Sequence, residues 1–370
     1  MNAATCLNTA PFAIVRCDAS ARMGGGHLRR CLTLAAELGA KGWRVWFAVK
    51  GETLPAAPVP LPEVQGWIVL DSSGRNEPKQ IEAALDGRHA DLLVVDHYEW
   101  DEVHEKGCRA FVWRIAVIDD LANRRHDADL LLDQTYGRSD SDYVGLVPRR
   151  CAILCGSRYA LLRPDFATRR ETALARRQDA GPVQRVLVGM GAADADDLTS
   201  VAIAAVARAS ERLGRPLALD VVLGSGAPHL DAVRRLLIDL PAWSIHVDAS
   251  GSSLARLMAS ADLAIGAAGT TSWERCCLGL PSVVLVAADN QAKIASELAA
   301  AGACKVVAAG APEDMAAAVL DLSRDDGARL AMAEAAAAIC DGGGTPRVAD
   351  AISMLQARLP GMEMTEMGGR

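Results

Sequence analysis

The stretch Arg16-Cys17-Asp18-Ala19-Ser20-Ala21-Arg22-Met23-Gly24-Gly25-Gly26-His27-Leu28-Arg29-Arg30 decides the reading of this chain. It follows the apolar run 12–17 and opens the helical pattern 28–38, so it is a strand-to-helix loop. Consecutive glycines let a ligand approach the backbone, and the free N–H groups of a helix start favour an anion. The pattern is not the dinucleotide fingerprint, because the third required glycine falls at Arg29. No Gly-Lys-Ser/Thr follows, which excludes a Walker loop. His27 stands at the mouth of the loop, at the carboxyl edge of the first strand. Imidazole ordinarily titrates near about 6.5, which suits general-base work around neutral pH.

On either side of this loop, short apolar runs alternate with helical patterns. Strands are expected at 12–17, 45–49, 67–71, 92–96, 115–119 and 130–133, with helices at 28–38, 78–85 and after Trp100. An arginine-rich stretch of low apolar content, 164–182, reads as an interdomain connection. The pattern then restarts, with strands at 186–188, 219–223, 244–247, 263–265 and 283–286. The helices of this half are expected at 196–213, 229–237, 254–259, 271–278 and 291–301. The Ala-rich end reads as helices at 312–322, 327–339 and 348–359. This alternation implies parallel sheets covered by helices on both faces. The expected fold is α/β: two tandem Rossmann-like, doubly wound domains, 1–165 and 183–345, followed by a C-terminal helix and frayed tail, 346–370. A ligand would lie in the cleft between them, beyond the carboxyl ends of the strands.

Composition narrows the function. The chain has 370 residues, 51% hydrophobic and 23% charged, which excludes intrinsic disorder. Its net charge of −7 and an aromatic content of 4% offer neither a basic surface nor stacking platforms for nucleic acid. The ten cysteines form no C-x-x-C pair and sit partly in apolar runs, as buried thiols in a reducing compartment do. No apolar run approaches the roughly 20 residues of a membrane span, and no signal-peptide pattern opens the chain, so a cytoplasmic protein without membrane insertion is expected. The oligomeric state is not legible.

Further candidates lie at other strand ends. Asp96-His97-Tyr98 and Asp119-Asp120 each close a strand of the first half; their carboxylates either bind a metal or cap helices, and no metal site is assigned. His89, His104, His126, His229 and His246 read as solvated. In the second half, Gly266-Ala267-Ala268-Gly269-Thr270-Thr271-Ser272-Trp273-Glu274 joins a strand to a helix. Its N–H groups and hydroxyls suit a phosphate, and Glu274, an acceptor, suits the two hydroxyls of a ribose. N-capping by Thr271 or Ser272 is the alternative. Asn290 and Gln291 offer amides to sugar hydroxyl or acetamido groups, or else cap a helix.

Taken with Arg16-x-Asp18, Ile118-Asp119-Asp120-Leu121-Ala122, Leu131-Leu132-Asp133-Gln134 and Tyr159-Ala160-Leu161-Leu162-Arg163-Pro164-Asp165-Phe166, these motifs resemble one family. It is the UDP-2,4-diacetamido-2,4,6-trideoxy-β-L-altropyranose hydrolases of bacterial pseudaminic acid biosynthesis, which are MurG-like and have the GT-B fold. The likeness spans roughly residues 14–301. It implies that His27 activates water, that Tyr98 lies near the reacting sugar, that Glu274 holds the ribose and that Asn290 contacts substrate. Family members often carry Gly-Thr-Gly-His, and Gly25 departs at a position open to small residues. The expected site is therefore His27 as catalytic residue, with Asp18, Gly24, Gly26, Tyr98, Arg163, Gly269, Thr270, Ser272, Glu274, Asn290 and Gln291 holding a UDP-activated diacetamido-trideoxy sugar. No metal and no cofactor is expected.

Overall fold

The computed structural model describes residues 10–19, 25–56, 64–71, 76–179, 181–238 and 242–356. The first half is built from β1 (Phe12–Cys17), α1 (Gly26–Ala40), β2 (Arg44–Lys50), β3 (Gly66–Leu70), α2 (Glu77–Leu85), β4 (Ala90–Asp96), α3 (Glu102–Cys108), β5 (Val112–Ile118), β6 (Leu130–Asp133) and β7 (Ala152–Cys155). Its seven strands are parallel in the order β3-β2-β1-β4-β5-β6-β7. All six residues of β1 are buried, as a strand covered on both faces requires. After helix α4 (Pro164–Gln178) come β8 (Arg185–Gly189), α5 (Leu198–Leu213), β9 (Ala218–Leu223), α6 (Leu230–Leu237), β10 (Trp243–Val247), α7 (Gly251–Ser260), β11 (Leu263–Ala267), α8 (Thr271–Cys277), β12 (Ser282–Leu285), α9 (Ala292–Ala300) and β13 (Lys305–Val307). These six strands form a second parallel sheet, β10-β9-β8-β11-β12-β13. Helices α10 (Pro312–Arg324), α11 (Asp326–Ile339) and α12 (Gly344–Gln356) are the last elements of the described residues.

In each sheet the strand order reverses direction once, between β1 and β4 and between β8 and β11. Such a reversal opens a crevice at the carboxyl ends, because the connections on either side leave toward opposite faces. The loop before α1 sits at the first reversal and the loop before α8 at the second.

Three features depart from the sequence reading. The edge strands β7 and β13, four and three residues long, were not expected. Such short edge pieces lack the apolar run that marks an interior strand. The arginine-rich stretch 164–178 is a helix, not a loose connection: Phe166 and Ala173 are buried in the second core. Its arginines are there to satisfy carbonyls at helix ends. Arg170 donates to the carbonyls of Cys277, Cys340 and Ala337, and Arg177 to those of Ala261 and Met258. The last helix returns to the first half, where Val348, Ala349 and Ile352 pack in the same core as Leu28 and Leu38. Among the described residues no helix is long and apolar enough to cross a membrane.

Candidate active site

Parallel pairing of β1 with β4 sets Cys17 opposite Asp96. The last residue of β4 thus lies beside the loop that leaves β1, and α1 begins above both. His27, the second residue of α1, is 7% exposed and places Nδ1 2.5 Å from Asp96 Oδ1. Arg30, three residues on and so on the same face of the helix, grips the same carboxylate with Nε and Nη2, each at 2.6 Å. Cys31 Sγ adds a weak donor at 3.4 Å. Burial disfavours the Asp96 carboxylate, but the charges and hydrogen bonds of Arg30 and His27 outweigh it and hold the carboxyl far below its usual range. An ionised carboxylate only accepts, so the proton between the two belongs to His27 Nδ1. Nε2 has no partner among the described residues.

Two contacts join the halves here. The Tyr98 ring stands perpendicular to the His27 ring, with centroids 4.6 Å apart, and its hydroxyl accepts from Asn290 Nδ2 at 3.1 Å. Burial, and then the charge of Asp120, push the phenol up to about 12, so it stays protonated at neutral pH. Gly26 faces Thr270: a Cβ at Gly26 would lie 3.5 Å from Thr270 Oγ1. His27, Gly26 and Tyr98 therefore share one seam with Thr270 and Asn290.

In the second half, Glu274 borders a cavity of about 540 Å³ together with Gly26, Arg29, Arg163 and Thr270. Its Oε2 is buried and unpartnered among the described residues. Burial pushes the carboxyl up to about 7, against the opposing charges of Arg29, Arg163 and Arg275. A second cavity, of about 560 Å³ and largely apolar, adjoins it and shares Arg29 and Thr271. Gln291 accepts from the Ala287 amide through Oε1, while its Nε2 would lie 3.9 Å from a Cβ at Gly269.

The raised carboxyl of Glu274 has a consequence for stability. Between about pH 4.5, the ordinary value for Glu, and about pH 7, the folded chain holds a proton that the unfolded chain has released. Stability therefore falls as pH rises through that window. Glu274→Gln, which does not titrate, is expected to gain about 1–3 kcal/mol on the wild type between pH 4.5 and pH 8. Urea unfolding at the two pH values measures it, and parallel stability curves for the two proteins would show that Glu274 is not held in this way.

Other expected residues are placed differently. Asp18 is 3% exposed and its oxygens are taken by the chain itself. Oδ1 accepts from the Lys50 amide and Thr53 Oγ1, and Oδ2 from Arg16 Nη2, with His97 Nε2 at 3.1 Å. It braces the end of β1 against β2 instead of facing the seam. Ser272 is buried, its hydroxyl accepting from Arg275 Nη2 and its amide donating to Gly269. Gly24 lies outside the described residues. His126 is not solvated: it is 2% exposed and bonded to buried Glu105 at 2.7 Å, and His246 bonds Asp220 at 2.8 Å. Among the described residues no group of three or more His, Cys, Asp or Glu side chains is arranged to hold a metal. Arg30 was given no role by the residue-by-residue reading, and Asp96 only that of a metal ligand or helix cap; here both contact His27. The usable signal was His27 and Arg30 on one helical face, both needing an acceptor.

Comparisons with known proteins bear on the fold and on sequence similarity. Residues 185–347 match the glycosyltransferase family 28 C-terminal domain. Among solved structures, MurG of Acinetobacter baumannii superposes with a TM-score of 0.65 at 16% identity, covering 93% of this chain and 99% of that one. The fold is GT-B. A UDP-N-acetylglucosamine 2-epimerase of Neisseria meningitidis, solved with UDP-GlcNAc bound, shares the GT-B arrangement. Its TM-score is 0.63 at 11% identity, over 93% of this chain and 99% of that one. By sequence, this GT-B chain is similar to the UDP-2,4-diacetamido-2,4,6-trideoxy-beta-L-altropyranose hydrolase of Campylobacter jejuni. The two are 29% identical over 154 residues, 41% of this chain and 52% of the relative. Spore coat polysaccharide biosynthesis protein SpsG of Bacillus subtilis is 28% identical over 176 residues, 48% of this chain and 49% of the relative. The chain spans about half the length of the curated relatives it matches.

Proposed function

We propose that this chain hydrolyses a UDP-activated diacetamido-trideoxy sugar at its anomeric carbon, with inversion, releasing UDP and the free sugar. The observation that carries the reading is the His27–Asp96 pair, a buried imidazole whose Nδ1 is fixed on a carboxylate and whose Nε2 is unpartnered among the described residues. A site that only binds needs no such base. In the proposed reaction a water oxygen bonds to the anomeric carbon while the C–O bond to the diphosphate breaks. The bonding pair leaves on the phosphate oxygen, and the water proton passes to His27 Nε2. Asp96 stabilises the imidazolium so formed. A nucleoside diphosphate is already a good leaving group, so the second carboxyl of most glycosidases is not required.

In this reading Glu274 takes the ribose hydroxyls, and Gly269, Thr270 and Arg163 border the diphosphate. Tyr98, Asn290 and Gln291 meet the sugar and its acetamido groups. The sugar named for the Campylobacter jejuni relative is the substrate we assign, and the family resemblance of the motifs supports a place in pseudaminic acid biosynthesis. The match to a glycosyltransferase family 28 domain favours a second reading, in which the same halves give the sugar to an acceptor hydroxyl.

NMR of the UDP-sugar incubated with the chain and no acceptor separates the two. Hydrolysis yields UDP and free sugar in equal amounts, the first-formed anomer being opposite to the substrate's. A transferase releases UDP only once an acceptor is added. The hydrolysis is expected to proceed unchanged in EDTA. Loss on chelation with recovery on adding Mg²⁺ would move Asp96, Asp119 or Asp120 from structural to metal-binding duty.

A further inference from the structure

We propose that Arg29 is the cation that meets the diphosphate of the departing nucleotide, so that the first half of the molecule supplies both the base and the charge for the leaving group. The inference rests on the UDP-sugar reading above and deepens it. Arg29 lies in the first turn of α1, two residues after His27, and its side chain is exposed. Among the described residues its guanidinium has neither a hydrogen-bond nor an ion-pair partner. Its neighbour Arg30 is spent on Asp96 and Asp120, and Arg16, Arg109, Arg124 and Arg138 of the same half are each bonded to carboxylates.

The position fits as well as the charge. Arg29 borders both cavities, the one that holds Glu274 and the apolar one beside it, and so stands where they meet. Its Nε lies 3.8 Å from where a Cβ of Gly25 would be, which folds the side chain back toward Gly25. In the Glu274 cavity, Arg29 and Arg163 face a single carboxylate, an excess of positive charge in a chain of net charge −7. In the second half, the amides of Ser272 and Trp273 are spent on the carbonyls of Gly269 and Thr270. A guanidinium offers a fork that matches two phosphate oxygens. As the C–O bond breaks, the electron pair collects on the phosphate oxygen, where a fixed cation lowers the barrier most.

The test uses Arg29→Ala and Arg29→Lys in the full chain, with hydrolysis of the UDP-sugar and binding of UDP and of uridine as readouts. Arg29→Ala is expected to lower kcat about 10²-fold or more, the scale for losing one stabiliser of developing charge. UDP affinity should fall about tenfold while uridine affinity is unchanged, because base and ribose are held by the second half. Arg29→Lys should recover part of the loss, keeping the charge without the fork. If the wild type binds UDP and Arg29→Ala matches it in kcat and UDP affinity, the role of Arg29 is overturned and the UDP-sugar reading stands. Equal weakening of UDP and uridine also overturns it, since Arg29 would then serve the nucleoside or the fold. A wild type that binds neither UDP nor the UDP-sugar overturns the UDP-sugar reading, and this inference with it.

Discussion

His27→Ala and His27→Asn are expected to lower kcat by about 10²–10⁴, the contribution of a positioned acid–base group. UDP affinity should change little, because the groups assigned to the nucleotide lie mainly on the opposite half. The wild-type kcat profile should show an acidic limb, since a protonated imidazole cannot take a proton from water, and the variants should lose it. Asp96 enters this prediction through geometry. Its bond to Nδ1 presents Nε2 as the base, so Asp96→Asn should lower kcat with a smaller effect on KM. Near-normal kcat with a raised KM in His27→Ala would make His27 a binding residue. The alternatives are few: the Asp18 oxygens are already taken, and the Tyr98 phenol is pushed up to about 12.

Arg30→Met should cost about 3–5 kcal/mol of stability at pH 7, as when one partner of a buried pair is removed and the other charge is left uncompensated. Asp96 is 1% exposed and Arg30 4%, so water cannot replace the lost partner. The pH dependence follows from the direction of the Asp96 shift. Its folded-state value is depressed, so it contributes stability that is present above the ordinary carboxylate range and is lost as pH falls through the acid range below it. Without Arg30 that contribution shrinks, and the variant should lose less stability on acidification than the wild type. Urea unfolding at neutral and acid pH measures both effects. A cost below about 1 kcal/mol at pH 7 would mean that His27 and Cys31 satisfy Asp96 without Arg30.

Much of this molecule is local in origin and therefore legible in the sequence. An interior parallel strand is a short apolar run whatever its neighbours, and a glycine loop followed by a helical pattern marks where ligand chemistry gathers. These local signals located ten of the thirteen strands to within about two residues at each end, a precision typical of boundaries read from pattern. The same loops and strand ends carry His27, Glu274 and Asn290, whereas Tyr98 was singled out by the family resemblance. Edge strands β7 and β13 escaped because pairing on one side asks for little apolar length. Helix α4 escaped because its arginines serve carbonyls that are distant in sequence.

The chemistry of the site was decided by tertiary structure. His27 and Asp96 are 69 residues apart, and Tyr98 and Asn290 are separated by 192. Their contacts depend on strand order and on how the two halves meet, neither of which any local window contains. Asp18 shows the same point in reverse. It sits in the decisive loop, yet Lys50 at the end of β2 and Thr53 past it take its Oδ1, and Arg16 and His97 take its Oδ2. His27 turns toward Asp96 at the end of β4. The sequence determined that a glycine loop with a histidine would stand at the carboxyl end of the first strand. Only the order of strands in the sheet decided which carboxylate that histidine would meet, because residues far apart in the chain become neighbours through pairing alone.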